Sequence, residues 1–175
     1  KINIGVLGCA NIAERFIIPT IKEMDEFNLI GIASRSKDKA DIFAKEFDTK
    51  AFYSYESLLE DTSLDAVYIP LPNSLHYEWI KKALGKNLHL LVEKSMACEF
   101  DEVVELNDLA KEKGLVLIEN FQFRFHLQLK YIKELVDSGK IGELRNIRAS
   151  FGFPPFSDAD NIRYKKELGG GALLD

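Results

Sequence analysis

The sequence is poor in sulfur and histidine and has no long apolar run. Two cysteines, Cys9 and Cys98, stand far apart among 175 residues, in neither a C-x-x-C pair nor a zinc-type spacing. That argues against a disulfide framework and suits free thiols in a reducing compartment. Only three histidines occur, His76, His89 and His126, with no carboxylates at ligand spacing, so no metal site is expected. No apolar stretch nears the ~20 residues of a membrane span. Lys and Arg number 23 against 28 Asp and Glu, a net charge of −5, and no basic stripe stands out. Nucleic-acid partners need clustered cations to neutralise phosphates, so that class drops out. The first residues read as a strand rather than a signal peptide, and a cytoplasmic location is the expectation.

What is present is a regular alternation of strand-like and helix-like patterns. Ile2–Leu7 is a short apolar strand, and a helix opens after Gly8 over Asn11–Met24. Leu29–Ala33 is a second strand, followed by a helix near Lys37–Phe47 with Ala40, Phe43, Ala44 and Phe47 on one face. Ala51–Tyr53 is a third, and Ser54 is placed to cap a brief helix reaching Glu60. Ala66–Ile69 and Leu88–Val92 are strands four and five, with a helix over Ser74–Leu84 between them. Phe100–Lys113 carries Val103, Leu106 and Ala110 at helical spacing, Gly114 ends it, and Leu115–Ile118 is the sixth strand. Apolar strands separated by helices demand a parallel sheet covered on both faces. Right-handed crossovers then predict a doubly wound, Rossmann-type α/β domain over residues 1–121, with strand order 3-2-1-4-5-6.

After Glu119 the pattern changes. His126–Asp137 is amphipathic, with Leu127, Tyr131, Leu135 and Val136 on one side; Gly139–Gly142 is a turn; Leu144–Phe151 reads as a strand. An aromatic, proline-containing loop over Phe151–Phe156 follows, placed either to line a pocket or to pack a domain joint. A Gly169–Gly171 triplet then leads to Asp175. A single helix and strand cannot bury both their faces, so residues 122–175 are expected to be the incomplete beginning of a second domain.

Three loops at the carboxyl edge of the predicted sheet carry the chemistry. Gly8-Cys9-Ala10-Asn11-Ile12-Ala13 has the spacing of G-x-G-x-x-G, with alanine at the second and third glycine positions. A dinucleotide's pyrophosphate needs a tight turn and free amides at a helix N-terminus, and this first βα junction offers both. At the end of strand two stands Ser34-Arg35-Ser36-Lys37, with no carboxylate before Asp38. A guanidinium and hydroxyls suit a 2′-phosphate, whereas NAD-specific sites place an acid there; a solvated polar loop is the other reading. Pro70-Leu71-Pro72-Asn73-Ser74-Leu75-His76 follows strand four, stiffened by its prolines, with Asn73 or Ser74 as a helix cap and His76 bonded within its own loop. Glu93-Lys94-Ser95 follows strand five. Lys94 either hydrogen-bonds a reacting carbonyl or hydroxyl oxygen or forms a surface ion pair with Glu93.

Taken in order, Gly8–Ala13, Ser34-Arg35, Pro70–His76, Glu93-Lys94, the Gly139–Gly142 turn and Gly169-Gly170-Gly171-Ala172-Leu173-Leu174-Asp175 span the whole chain. In this set the chain resembles the Gfo/Idh/MocA oxidoreductases, the family of glucose–fructose oxidoreductase and inositol dehydrogenase. The resemblance implies a second α/β domain with a mainly antiparallel sheet, which also mediates homo-oligomer formation. It implies cofactor contacts from Gly8, Cys9, Ala10, Asn11 and Ile12, from Ser34, Arg35 and Ser36, from Leu71, Pro72, Asn73 and His76, and from Glu93 and Lys94. Lys94 would be the catalytic lysine of a Glu-Lys-Pro signature whose proline is here Ser95. Asp175 would open the segment bearing the family's second catalytic group. Arg124 and Arg163 are candidate substrate contacts, or rim charges paired with a nearby acid.

The reaction implied is hydride transfer between a nicotinamide and a C–OH or C=O carbon of a sugar, nucleotide sugar or cyclic polyol, dihydrodiols being a variant. A non-catalytic dinucleotide sensor and a self-standing interaction module are the alternatives from other classes. NADP(H) is the expected cofactor, with NAD(H) possible. Titrating both cofactors should give the lower dissociation constant for NADP(H), and tighter NAD(H) binding would refute the reading of Arg35.

Overall fold

The computed structural model describes residues 1–150, 152, 154–155 and 160–171. Six strands, β1 (Ile2–Leu7), β2 (Phe27–Ala33), β3 (Lys50–Phe52), β4 (Ala66–Ile69), β5 (His89–Val92) and β6 (Leu117–Glu119), form one parallel sheet in the order β3-β2-β1-β4-β5-β6. This is the predicted Rossmann topology. Its helices are α1 (Ile18–Glu23), α2 (Lys37–Glu46), α3 (Tyr55–Leu59), α4 (Asn73–Gly85) and α5 (Phe100–Glu112).

The pleat explains why the strands are apolar throughout. Along β4, Val67 and Ile69 enter one core with Leu58, Ile80, Leu84 and Leu106, from α3, α4 and α5. The alternate residues Ala66 and Tyr68 enter a second core with Ile18 and Ile21 of α1 and Phe43 of α2. Both faces are thus covered, and each fully buried aliphatic side chain contributes roughly 1.5–3 kcal/mol. Helix starts follow local chemistry. The Ser36 side chain accepts from the Lys39 N–H at 3.4 Å to cap α2, and Ser54 and Ser57 cap α3 reciprocally.

Two helix starts differ from expectation. The helix after Gly8 opens with a π-helical turn, Ala13–Ile17, before α1 begins. α4 begins at Asn73 itself, with Pro72 in the capping position and no side-chain cap, so neither Asn73 nor Ser74 caps it. Proline needs no capping partner for its own nitrogen, which leaves the Asn73 side chain for other work.

Residues Lys1–Asn120 and the chain from Ile162 onward form one compact unit, and Phe121–Asn161 form another. The short 3₁₀ turns Ile162–Tyr164 and Lys166–Leu168 lie within the unit that holds the sheet. The other unit holds α6 (Leu127–Asp137) and the predicted turn, with Gly139 and Gly142 both at positive φ and a 2.9 Å hydrogen bond between them. The expected strand at 144–151 is not formed over 144–150, because among the described residues no segment pairs with it to complete a ladder. Phe151, Phe153 and Phe156 of the aromatic loop lie outside the described residues. No helix among the described residues is long and apolar enough to cross a membrane.

Leu84 of α4 is 0% exposed in the larger core. Leu84→Ala should cost about 2–5 kcal/mol, read as a lower urea midpoint.

Candidate active site

The carboxyl ends of β2, β1, β4 and β5 lie side by side in that order, across about 14 Å at roughly 4.8 Å per strand. Each end delivers one stretch of the site. Gly8 follows β1 at φ +127°, with its N–H bonded to the Ala33 carbonyl at 2.9 Å. A Cβ there would stand 2.8 Å from Leu71 Cδ2, so only glycine lets this turn pass the β4 loop. A cleft of about 400 Å³ opens at this point. Gly8, Cys9 and Ala10 form one side, Ser34, Arg35, Ser36 and Lys39 a second, and Pro70, Leu71 and Pro72 a third, with Tyr55 and Ile162 completing it.

The β2 end of this cleft is cationic. Ser34 is 6% exposed; its N–H reaches the Phe52 carbonyl at 3.0 Å and its hydroxyl accepts from the Ser36 N–H at 3.1 Å. That tight turn leaves Arg35 in the open, with its guanidinium carbon 5.9 Å from the centre of the Tyr55 ring. Burial pushes the Tyr55 hydroxyl above its ordinary value, opposed by Arg35, so it stays a neutral neighbour of the guanidinium. Lys39, in the first turn of α2, adds a second cation, and no described residue lining the cleft is a carboxylate. Two cations in a recess whose described lining holds no carboxylate make a site for an anion such as a phosphate monoester.

At the β5 end the chain is held from several sides. Glu93 is 8% exposed, and one of its carboxylate oxygens, Oε1, accepts from the Tyr68 hydroxyl and the Asn120 amide, each at 2.7 Å. Burial, with the Glu93 charge behind it, pushes the Tyr68 hydroxyl far up, which fixes it as a donor. The surface ion pair considered for Glu93 and Lys94 is therefore not what the structure shows, since Glu93 turns inward to neutral donors. Lys94 comes next, half-buried, joined to Ser95 by a cis peptide bond. The Ser95 carbonyl accepts from His76 Nδ1 at 2.6 Å, the Ser95 N–H reaches Asn73 Oδ1 at 3.3 Å, and the Met96 N–H reaches Glu119 Oε1 at 2.8 Å.

This geometry coincides with a clear sequence relationship. Residues 2–121 match the model of the GFO/IDH/MocA oxidoreductase family, described as an NAD-binding Rossmann fold, and residues 129–175 match a GFO/IDH/MocA C-terminal domain model. The chain belongs to the GFO/IDH/MocA oxidoreductase family. It is 45% identical over 174 residues to a dTDP-3,4-didehydro-2,6-dideoxy-alpha-D-glucose 3-reductase of Saccharopolyspora spinosa, covering 99% of this chain and 52% of that protein. It is 39% identical to D-xylose 1-dehydrogenase (NADP(+)) 2 of Haloferax volcanii, covering 98% of this chain and 52% of that protein. The crystal structure of KijD10, a 3-ketoreductase from Actinomadura kijaniata in complex with NADP and TDP-benzene, superimposes with a TM-score of 0.92 at 42% identity, covering 99% of this chain and 53% of that one. The chain thus spans about half the length of these relatives.

Within this GFO/IDH/MocA frame the predicted residues fall into three groups. Gly8, Cys9, Ala10, Ser34, Arg35, Ser36, Leu71 and Pro72 are brought together around the cleft, with Asn11 and Ile12 following in the first helical turn. Asn73, His76 and Glu93 instead bond to protein groups; His76 is 0% exposed, and its Nδ1 bonds the Ser95 carbonyl of the next loop. Arg163 stands beside Ile162 of the cleft wall, Arg124 belongs to the separate 121–161 unit, and Asp175 lies outside the described residues. Lys39 was absent from the sequence-based candidates. Its signal was available, since a residue three past the Ser36 cap sits in the first turn and faces the same anion site.

His76 gives the site a pH dependence. Burial holds its ring below the ordinary value of 6.5, against the opposing pull of the Ser95 and Leu71 backbone and of Glu93 and Glu119. The unfolded chain therefore binds this proton at higher pH than the folded one. The stability due to neutral His76 is complete above about pH 6.5 and is lost as pH falls below it. Urea midpoints should drop between about pH 7 and pH 5.5, and His76→Asn should flatten that drop.

Proposed function

We propose that the protein containing this chain is an NADP(H)-dependent oxidoreductase acting on a sugar, with a nucleotide sugar as the favoured substrate class. One observation carries the reading. A cleft with no carboxylate among its described lining residues, and with Arg35 and Lys39 at its β2 end, passes Gly8 and reaches the Pro70–Pro72 loop, one strand from Lys94. The groups fit the cofactor, because Gly8, at φ +127°, makes the tight turn that a pyrophosphate loop needs and the two cations match a 2′-phosphate. The names of the relatives support both halves, one reducing a dTDP-linked keto sugar and another oxidising D-xylose with NADP+.

The bound nicotinamide would supply the hydride in reduction and take it up in oxidation. Arg35, Lys39 and Ser36 would hold the 2′-phosphate end, and the amides after Gly8 the pyrophosphate. Lys94 would hydrogen-bond the reacting oxygen, stabilising negative charge there as the C=O becomes C–H and O–H. Asp175 would position Lys94 or the substrate, and Arg124 and Arg163 would contact the substrate. Residues 122–175 are read as the first part of a substrate domain built on a mainly antiparallel sheet. The exposed apolar face of α6, with Leu127 at 78% and Tyr131 at 60%, suits burial by the rest of that domain or by a second subunit. The free thiols Cys9 and Cys98 support a cytoplasmic location.

In the full-length protein, Lys94→Met should lower kcat by about a hundredfold or more while leaving the NADPH dissociation constant within about twofold. Turnover of D-xylose with NADP+, or of a dTDP-linked 3-keto sugar with NADPH, is the assay. Retained activity would remove Lys94 from the chemistry.

A further inference from the structure

A lysine on a βα loop starts with a handicap, because its long side chain has many rotamers and loops are the mobile part of this fold. A group that must meet a reacting oxygen needs its backbone fixed to a fraction of an ångström. Around Lys94 the fixing groups can be named. Glu93 on one side is held by Tyr68 and Asn120, and Met96 on the other by Glu119. The peptide groups of Ser95, immediately after the lysine, are gripped on both their donor and their acceptor by the neighbouring helix α4.

We propose that Asn73 and His76, on one face of the first turn of α4, are positioning residues for Lys94, and that Asn73 also links the lysine loop to the glycine-rich segment. The proposal rests on the reading of Lys94 as the group that meets the reacting oxygen. His76 Nδ1 lies 2.6 Å from the Ser95 carbonyl, so this nitrogen carries the proton. The opposite nitrogen, Nε2, is buried with no hydrogen-bond partner among the described residues. Asn73 uses both ends of its amide. Oδ1 accepts from the Ser95 N–H, and Nδ2 donates to the Gly169 carbonyl at 3.0 Å. Gly169 approaches so closely, at φ +74°, that a Cβ there would stand 2.7 Å from Asn73 Cβ and 2.8 Å from Cys98 Sγ. The seat of the glycine-rich segment and the backbone of the lysine loop therefore share one side chain.

The test uses the full-length protein and four variants. His76→Leu keeps bulk and removes the donor; His76→Asn offers an amide donor in its place. Asn73→Asp keeps the acceptor for Ser95 and loses the donor to Gly169, and Lys94→Met is the control. Three quantities are measured: the NADPH dissociation constant, kcat and KM with the two substrates named above, and the rate at which trinitrobenzenesulfonate labels Lys94, read by peptide mass spectrometry. His76→Leu should label several times faster at Lys94 and lose about tenfold or more in kcat, with KM and NADPH affinity within about twofold. His76→Asn should recover most of both, and Asn73→Asp should fall between. Labelling and kcat within about twofold of the parent in His76→Leu and Asn73→Asp would overturn the proposal. If His76→Leu no longer binds NADPH, His76→Asn and Asn73→Asp decide by the same readings. If Lys94→Met still turns over, the catalytic reading of the lysine fails, while the labelling rates still decide whether the clamp exists.

Discussion

The order β3-β2-β1-β4-β5-β6 places the two strands from which the chain departs in opposite directions next to each other. After β1 the chain moves outward through β2 and β3; after β4 it moves outward through β5 and β6. Right-handed crossovers then force the helices of the two halves onto opposite faces, and the loops leaving β1 and β4 part instead of stacking. The cleft between Gly8 and Pro70–Pro72 is that parting. Every other element of the site depends on it, because β2 and β5 reach the cleft only as the immediate neighbours of β1 and β4.

Within this frame the two ends of the cleft are built on opposite electrostatic principles. At β2 the cations Arg35 and Lys39 are exposed, so binding an anion there costs them little desolvation. At β5 a carboxylate is taken inside. Burying Glu93 would cost several kcal/mol if it were unpaired, and the Tyr68 hydroxyl and Asn120 amide offset this with short hydrogen bonds. Neutral donors thus anchor the loop just before Lys94. The same buried carboxylate raises the tyrosine, keeping it a donor, and partly opposes the burial that lowers His76.

What the sequence made legible was what depends on local pattern. Apolar strands of three to six residues, punctuated by Gly8 and Gly114, were enough to predict the parallel sheet and its order. The cleft followed from strand ends. What escaped was whatever joins residues distant in the chain. Asn73 looked like a helix cap because Asn commonly caps, yet its partners are 22 and 96 residues away, and no spacing rule reaches that far. The bond from His76 to Ser95 escaped for the same reason, with Ser95 lying 19 residues further on in the next loop. The strand expected at 144–151 differs over 144–150 for another reason: alternation describes which faces a strand presents, whereas pairing decides whether it forms.

Ser95 shows how a departure from the family pattern is accommodated. The Glu-Lys-Pro signature of the resemblance carries proline at this position, and proline stiffens a loop through its ring while lacking an N–H. Serine gives up the ring and brings a donor, which would cost roughly 1–3 kcal/mol if buried without a partner. Asn73 Oδ1 lies 3.3 Å from that N–H, and His76 holds the carbonyl of the same residue. The constraint a ring would place on one dihedral is thus supplied by two hydrogen bonds from α4. A ring acts only on its own residue, but the amide of Asn73 also reaches Gly169. The substitution therefore makes the backbone beside Lys94 answer to the glycine-rich segment.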